Sequence, residues 1–124
     1  MKGTLTNLND KFSQCTGTEH YYTHFTKFCV FTDGVKSMAD EYKAYWLIDV
    51  IASYQIKKSI ESKPFQIWTI TSAQGKATIE MRLDTDQPVL IRRQIPFTDF
   101  PDGRLQMYYI NDGSNKVLLL PSEY

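Results

Sequence analysis

The chain has 124 residues, 42% of them hydrophobic and 14% aromatic, with fourteen Lys plus Arg balanced by fourteen Asp plus Glu. That length accommodates a single domain with one sizeable core, and a net charge of zero excludes a global field that would gather nucleic acid, anionic membrane or acidic substrates. No run is long and apolar enough to span a bilayer and no secretory signal opens the sequence, so a soluble, cytoplasmic protein with Cys15 and Cys29 as reduced thiols is expected.

Leu5, Leu8 and Phe12 recur at i, i+3, i+7 and predict a short amphipathic helix docked on another element. Gly17, between two threonines, predicts a turn before the extended Tyr21-Tyr22-Thr23, and residues 25–31 read as a strand ended by Thr32-Asp33-Gly34. Asp33 is placed to cap a two-turn helix over 35–42, where Val35, Met38, Ala39 and Tyr42 keep helical spacing. The main helix follows at 44–56: Leu47, Ile51 and Tyr54 share a face with Ala44 and Ile48 beside them, which leaves Asp49, Ser53 and Lys57 as a narrow polar stripe. So wide an apolar arc needs cover on more than one side.

Pro64 stops any further helix, and the period changes to two. A strand over 65–73 turns at Gln74-Gly75 into a second over 76–84, with Ala77, Ile79, Met81 and Leu83 on one face and Thr78, Glu80 and Arg82 on the other. Strands over 89–97, 104–111 and 116–120 complete the series, the last two joined at Asp112-Gly113. The expected fold is α+β, with N-terminal helices packed on one face of an antiparallel five-stranded meander and residues 1–124 forming a single domain. The apolar run Val117-Leu118-Leu119-Leu120 reads as an inner strand or as a surface covered by a partner copy.

No catalytic signature emerges. Cys15, His20, His24 and Cys29 fall within one fifteen-residue window and match the ligand types of a structural zinc, but an extended segment would hold His20 and His24 about 13 Å apart. No metal and no cofactor is therefore expected. A nucleophile pair of Cys15 with either histidine lacks a positive neighbour to lower the thiol pKa. Glu19, Asp33, Asp49 and Asp99 are the candidate carboxylates for convergence on a metal or for an acid and base pair, and Glu19, His24, Asp33 and Asp49 together would make an alternative hydrolase set. Asp49 and Arg93, each the polar exception on an apolar element, are expected to form a buried structural pair.

Candidate binding residues are Glu19, His20, Tyr22, His24 and Asp33 before the main helix, and Arg82, Arg92 and Tyr108 on the sheet. Basic residues interleaved with aromatics at Arg92-Arg93 and over 104–109 offer a nucleic-acid alternative, because a sheet face can stack bases. Glu80, Asp84 and Asp86 on the same or adjoining strands favour a solvated face with cross-strand ion pairs instead.

The blocks Thr16-Gly17-Thr18-Glu19, Tyr21-Tyr22, Thr32-Asp33-Gly34-Val35, Ala44-Tyr45-Trp46-Leu47-Ile48-Asp49, Ile51-Ala52, Gln55, Phe65-Gln66-Ile67-Trp68, Phe97-Thr98-Asp99-Phe100-Pro101 and Leu119-Leu120-Pro121-Ser122-Glu123-Tyr124 resemble a family of small proteins of unknown function. That family occurs in bacteria, cyanobacteria among them, and in phages or other mobile elements. The resemblance runs over 12–124 and implies one domain in a mobile-element setting, with no activity and no catalytic residue to carry over. Cys15 stands where the family has an aromatic residue, which separates its thiol from any shared role. The expectation is a small non-enzymatic binding protein that acts on a host or defence factor. It would meet a protein rather than nucleic acid or membrane, and a homodimer is compatible with it.

Overall fold

The computed structural model describes residues 6–24, 26, 27 and 29–124. Leu5, Phe25 and Phe28, which enter the readings of the first helix and of the 25–31 strand, lie outside them. Among the described residues, seven strands form one mixed sheet: β1 (Tyr21–Thr23), β2 (Val30–Thr32), β3 (Phe65–Ala73), β4 (Lys76–Arg82), β5 (Ile91–Ile95), β6 (Gly103–Asn111) and β7 (Lys116–Leu119). Their order is β1-β2-β7-β6-β3-β4-β5, with β2 parallel to β7 and every other neighbour antiparallel. Three helices, α1 (Asp33–Tyr42), α2 (Tyr45–Tyr54) and α3 (Lys58–Glu61), follow β2.

This corrects the expected five-stranded antiparallel meander with N-terminal helices, although the fold is still broadly α+β. Two strands precede the helices, and β6 returns to pair with β3 instead of β5. The reason lies in burial. Gln66, Ile67, Trp68, Thr69 and Ile70 of β3 are all buried, on both faces, so this strand needs a neighbour on each edge. Arg92, Arg93 and Gln94 of β5 are exposed and suit an outer position. The extended Tyr21-Tyr22-Thr23 and the end of the strand expected over 25–31 are the short strands β1 and β2, which join the same sheet.

Register sorts the side chains. Trp68, Ile70, Ile79, Met81, Leu105, Met107, Tyr109 and Leu118 share the face covered by the helices and join one core with Val35, Met38, Leu47, Ile48 and Ile51. The alternation expected for β4 holds, with Ala77, Ile79 and Met81 buried and Thr78, Glu80 and Arg82 half-buried. The chain reverses between β3 and β4 through Gln74 at φ 54° and Gly75 at φ 79°, the two left-handed positions that a tight hairpin with the sheet's twist requires.

Thr32 caps α1, its hydroxyl accepting from Val35 N–H at 3.3 Å, and Asp33 takes the first helical position. The α1 helix ends at Lys43 in the left-handed conformation, φ 53°, which separates it from α2. At the other margin a 3-10 turn (Leu8–Phe12) docks beside β6: Arg104 N–H donates to Thr6 O at 2.8 Å, and the Asn9 amide both accepts from Gln106 N–H at 2.7 Å and donates to Gln106 O at 2.9 Å. These bonds occupy β6 beyond the end of β7. Leu8 and Phe12 then reach the core.

Among the described residues, one buried side-chain group is unsatisfied. The Tyr109 hydroxyl has no hydrogen-bond partner among them, although the residue is completely buried, and burial, with Cys29 and Glu61 nearby, pushes its pKa far upward. An orphaned hydroxyl costs more than a hydrogen in its place. Tyr109→Phe should therefore raise stability by about 1 kcal/mol, read as a higher urea midpoint with an unchanged slope. A lower midpoint would mean that the hydroxyl has a partner.

Candidate functional site

The sequence candidates divide among three places. The first is where β1 meets the start of α1. Asp33 Oδ2 accepts from the backbone N–H of Glu19 at 3.1 Å and of His20 at 3.0 Å, with His20 Nδ1 3.8 Å from Oδ1 and the Tyr22 hydroxyl beside the same carboxylate. Burial alone would push this carboxyl up, but the His20 N–H, the Tyr22 hydroxyl and the Glu19 N–H together hold it below the usual value. The carboxylate thus ties the segment before β1 to α1. The Glu19 side chain is left to solvent, and His20 is exposed.

A folded-state pKa below the unfolded one stabilises the charged tie above the ordinary carboxylate range and loses it as pH falls through the depressed value. Protection of the Glu19 and His20 amides from exchange should fall over that acidic window while the Ile70 amide stays protected. Asp33→Asn should show the same loss at neutral pH. Amides of residues 19 and 20 that stay equally protected in Asp33→Asn would contradict the assignment.

The second place is the far end of β1. His24 is buried, and its Nε2 lies 2.7 Å from Asp49 Oδ1 on α2, with Nδ1 2.7 Å from Thr26 Oγ1 and 3.2 Å from Thr26 N. The expected Asp49–Arg93 pair does not form. Asp49 faces outward on α2 with its side chain about half exposed and is bound to His24, whereas Arg93 lies exposed on the outermost strand. Each arginine on β5 has solvent, which removes the need for a buried counter-ion.

A cleft of about 270 Å³ lined by Thr23, His24, Phe31, Tyr45, Ile48 and Asp49 opens here. Glu19 and Asp33 belong to the other end of β1. The four residues of the alternative hydrolase set are therefore split between two locations and do not converge in one pocket. Neither thiol is activated: burial pushes Cys29 up to about 11 and raises Cys15 as well. Among the described residues, no three His, Cys, Asp or Glu side chains gather as metal ligands.

The third place is the sheet face turned away from the helices. Arg82, Arg92 and Tyr108 all stand on it by register, together with Glu80, Thr78, Gln94, Arg104 and Gln106. Glu80 holds Arg92 at 2.8 Å and lies 3.7 Å from Arg82, so the β4–β5 side of the face carries an ion-pair cluster. At one corner Phe65, Tyr108 and Tyr124 pack ring to ring with centroids 5.0–5.7 Å apart, Tyr124 being 75% exposed. Ile67 is buried between the register positions of Arg82 and Tyr108.

Sequence reasoning passed over two polar groups that the structure makes central. Glu123 sits at the N-terminus of α1, and Gln66 joins Gln55 and Trp68 in the core. The signal for Gln66 was present as one amide among the apolar residues that open β3. Glu123 gave none, because its partners lie at distant positions.

No helix among the described residues is long and apolar enough to cross a membrane. Comparison with curated proteins and with solved structures produced no match. A family model described as a family of unknown function, DUF6876, matches residues 6–124, and the chain belongs to that family.

Proposed function

We propose that this protein is a non-enzymatic binding module whose partner is another protein, met on the open face of the sheet. The supporting observation is one-sided cover: α1, α2 and the core lie on one face, and the other presents arginines, threonines, glutamines and an aromatic corner to solvent. Aromatic and arginine side chains on a rigid sheet are the residue types that anchor protein interfaces. Glu80 engages Arg92 and lies beside Arg82, so only part of the positive charge there is free to meet a polyanion, which supports a protein as the partner. The resemblance of the sequence blocks adds the setting: a bacterial phage or other mobile element, in the cytoplasm, with a host or defence factor as target.

The test is capture from a bacterial host lysate on the parent protein and on an Arg82→Ala, Arg104→Ala variant, followed by titration of the purified captured protein against both. A protein bound by the parent and at least tenfold more weakly by the variant is the expected result. Retention of nuclease-sensitive material alone would transfer the face to nucleic acid.

A further inference from the structure

The outer side of β5 has no strand beside it among the described residues. Rows of free N–H and C=O groups of this kind recruit other strands. Ile91, Arg93 and Ile95 stand on one face, in register with Met81, Ile79 and Ala77, and Arg92 and Gln94 stand on the other with Glu80 and Thr78. The two arginines differ. Arg92 is matched by Glu80, with Nε and Nη2 each 2.8 Å from Oε2. Arg93 is exposed, makes no ion pair among the described residues and lies between two half-buried isoleucines.

Beyond the ends of the strand, Leu90 is 48% and Phe97 88% exposed. Phe97 projects from a fixed loop: Thr98 N–H donates to Gly75 O at 2.8 Å, Phe100 N–H donates to Thr98 Oγ1 at 3.1 Å, and Phe100 is buried against Tyr42 and Trp46. An aromatic held out in water on an anchored loop is a preorganised contact.

We propose that β5 takes up an extended segment of a partner protein by strand addition, with a carboxylate opposite Arg93 and apolar residues two places to either side, beside Ile91 and Ile95. The backbone bonds supply affinity and the alternate side chains specificity. Asp84 and Asp86 before the strand and Asp99 after it repel further acid, which confines the carboxylate to the centre. A second copy of this chain fits less well. Two-fold antiparallel pairing that sets Ile91 of one copy beside Ile95 of the other centres on Arg93 and places like charges directly opposite. The inference rests on the proposed binding function and adds where the partner's chain enters.

The probes are two fluorescein-labelled peptides, Thr-Val-Thr-Glu-Thr-Val-Thr and its twin with Lys in place of Glu, titrated by anisotropy against the whole chain. The Glu peptide should bind on the order of fivefold tighter, as a cross-strand charge pair allows. Arg93→Glu should reverse that order, and Lys57→Glu on the helical side should leave it unchanged. Thermal melts establish that Arg93→Glu is folded; if it is not, Arg93→Gln should level the two affinities. Binding of neither peptide, equal affinity for both, or a preference that ignores Arg93 overturns the proposal. Should that happen while a purified partner still binds the parent and loses the Arg82→Ala, Arg104→Ala variant, the edge assignment fails and the binding function stands. Absence of any protein partner removes both.

Discussion

Glu123→Ala should lower the stability of the fold by about 2–4 kcal/mol, the scale of several hydrogen bonds to one charged acceptor. Its Oε1 accepts from the Thr32 hydroxyl at 2.6 Å and from Leu120 N–H at 2.9 Å, and Oε2 accepts from Gly34 N–H at 3.0 Å and from the Thr18 hydroxyl at 3.2 Å. The carboxylate thus meets the unsatisfied first turn of α1, where a negative charge is also favoured by the helix dipole. It links the C-terminal 3-10 turn (Pro121–Glu123), the segment before β1 and α1.

The same arrangement reverses an ordinary rule. Ala in place of Gly within a helix usually stabilises by about 1 kcal/mol. At Gly34 a Cβ would lie 2.5–2.9 Å from the Glu123 carboxyl atoms, and moving that group breaks the bonds that hold it. Gly34→Ala should destabilise the parent by about 1–2 kcal/mol and become neutral or stabilising in Glu123→Ala, a coupling that a double-mutant cycle reads directly. Stabilisation by Gly34→Ala in the parent would place the carboxylate elsewhere.

Gln66→Leu should cost about 3–5 kcal/mol, because it strands several buried polar groups at once. The Gln66 carbonyl accepts from Gln55 Nε2 at 2.9 Å and from the Trp68 indole N–H at 2.8 Å, and its amide donates to Gln55 Oε1 at 3.1 Å and to Ile60 O at 2.9 Å. Both glutamines are buried. The network joins the end of α2, α3 and β3, so chemical denaturation should show a lower midpoint and Trp68 emission should shift in the native state. Replacing Gln55 and Gln66 together by Leu should recover part of the loss, since fewer polar groups then lack partners. A double variant that sums the two single losses would show that the amides do not act as a pair.

The expected linked pair was Asp49 with Arg93. The structure assigns the buried side-chain pairing between helix and sheet to two neutral amides instead. Charge drew attention to the wrong residues, because a charged side chain on a helix's outer side or on an edge strand can turn to solvent, as Asp49 and Arg93 both do. The amide of Gln66, on the covered face of β3, has no such exit. Asp33 and His24 were singled out as candidate site residues, and the partners the structure gives them, the Glu19 and His20 amides and Asp49, come from segments elsewhere in the chain.

Local pattern alone determined the main helix, the β3–β4 hairpin with its turn, the inward side of β4 and the inner character of the C-terminal apolar run. Each rests on a periodicity or a turn chemistry contained within about ten residues, where geometry repeats every 3.6 or 2 positions. Only the tertiary structure decided the strand order, the parallel pairing of β2 with β7, the break at Lys43 and the place of Glu123 on α1. Those features join residues far apart in sequence, or depend on a three-residue strand or a left-handed lysine that carries no local signal. The strand order in particular follows from a β3 that needs a neighbour on each edge and a β5 that can remain outside, a comparison among strands that no single segment contains.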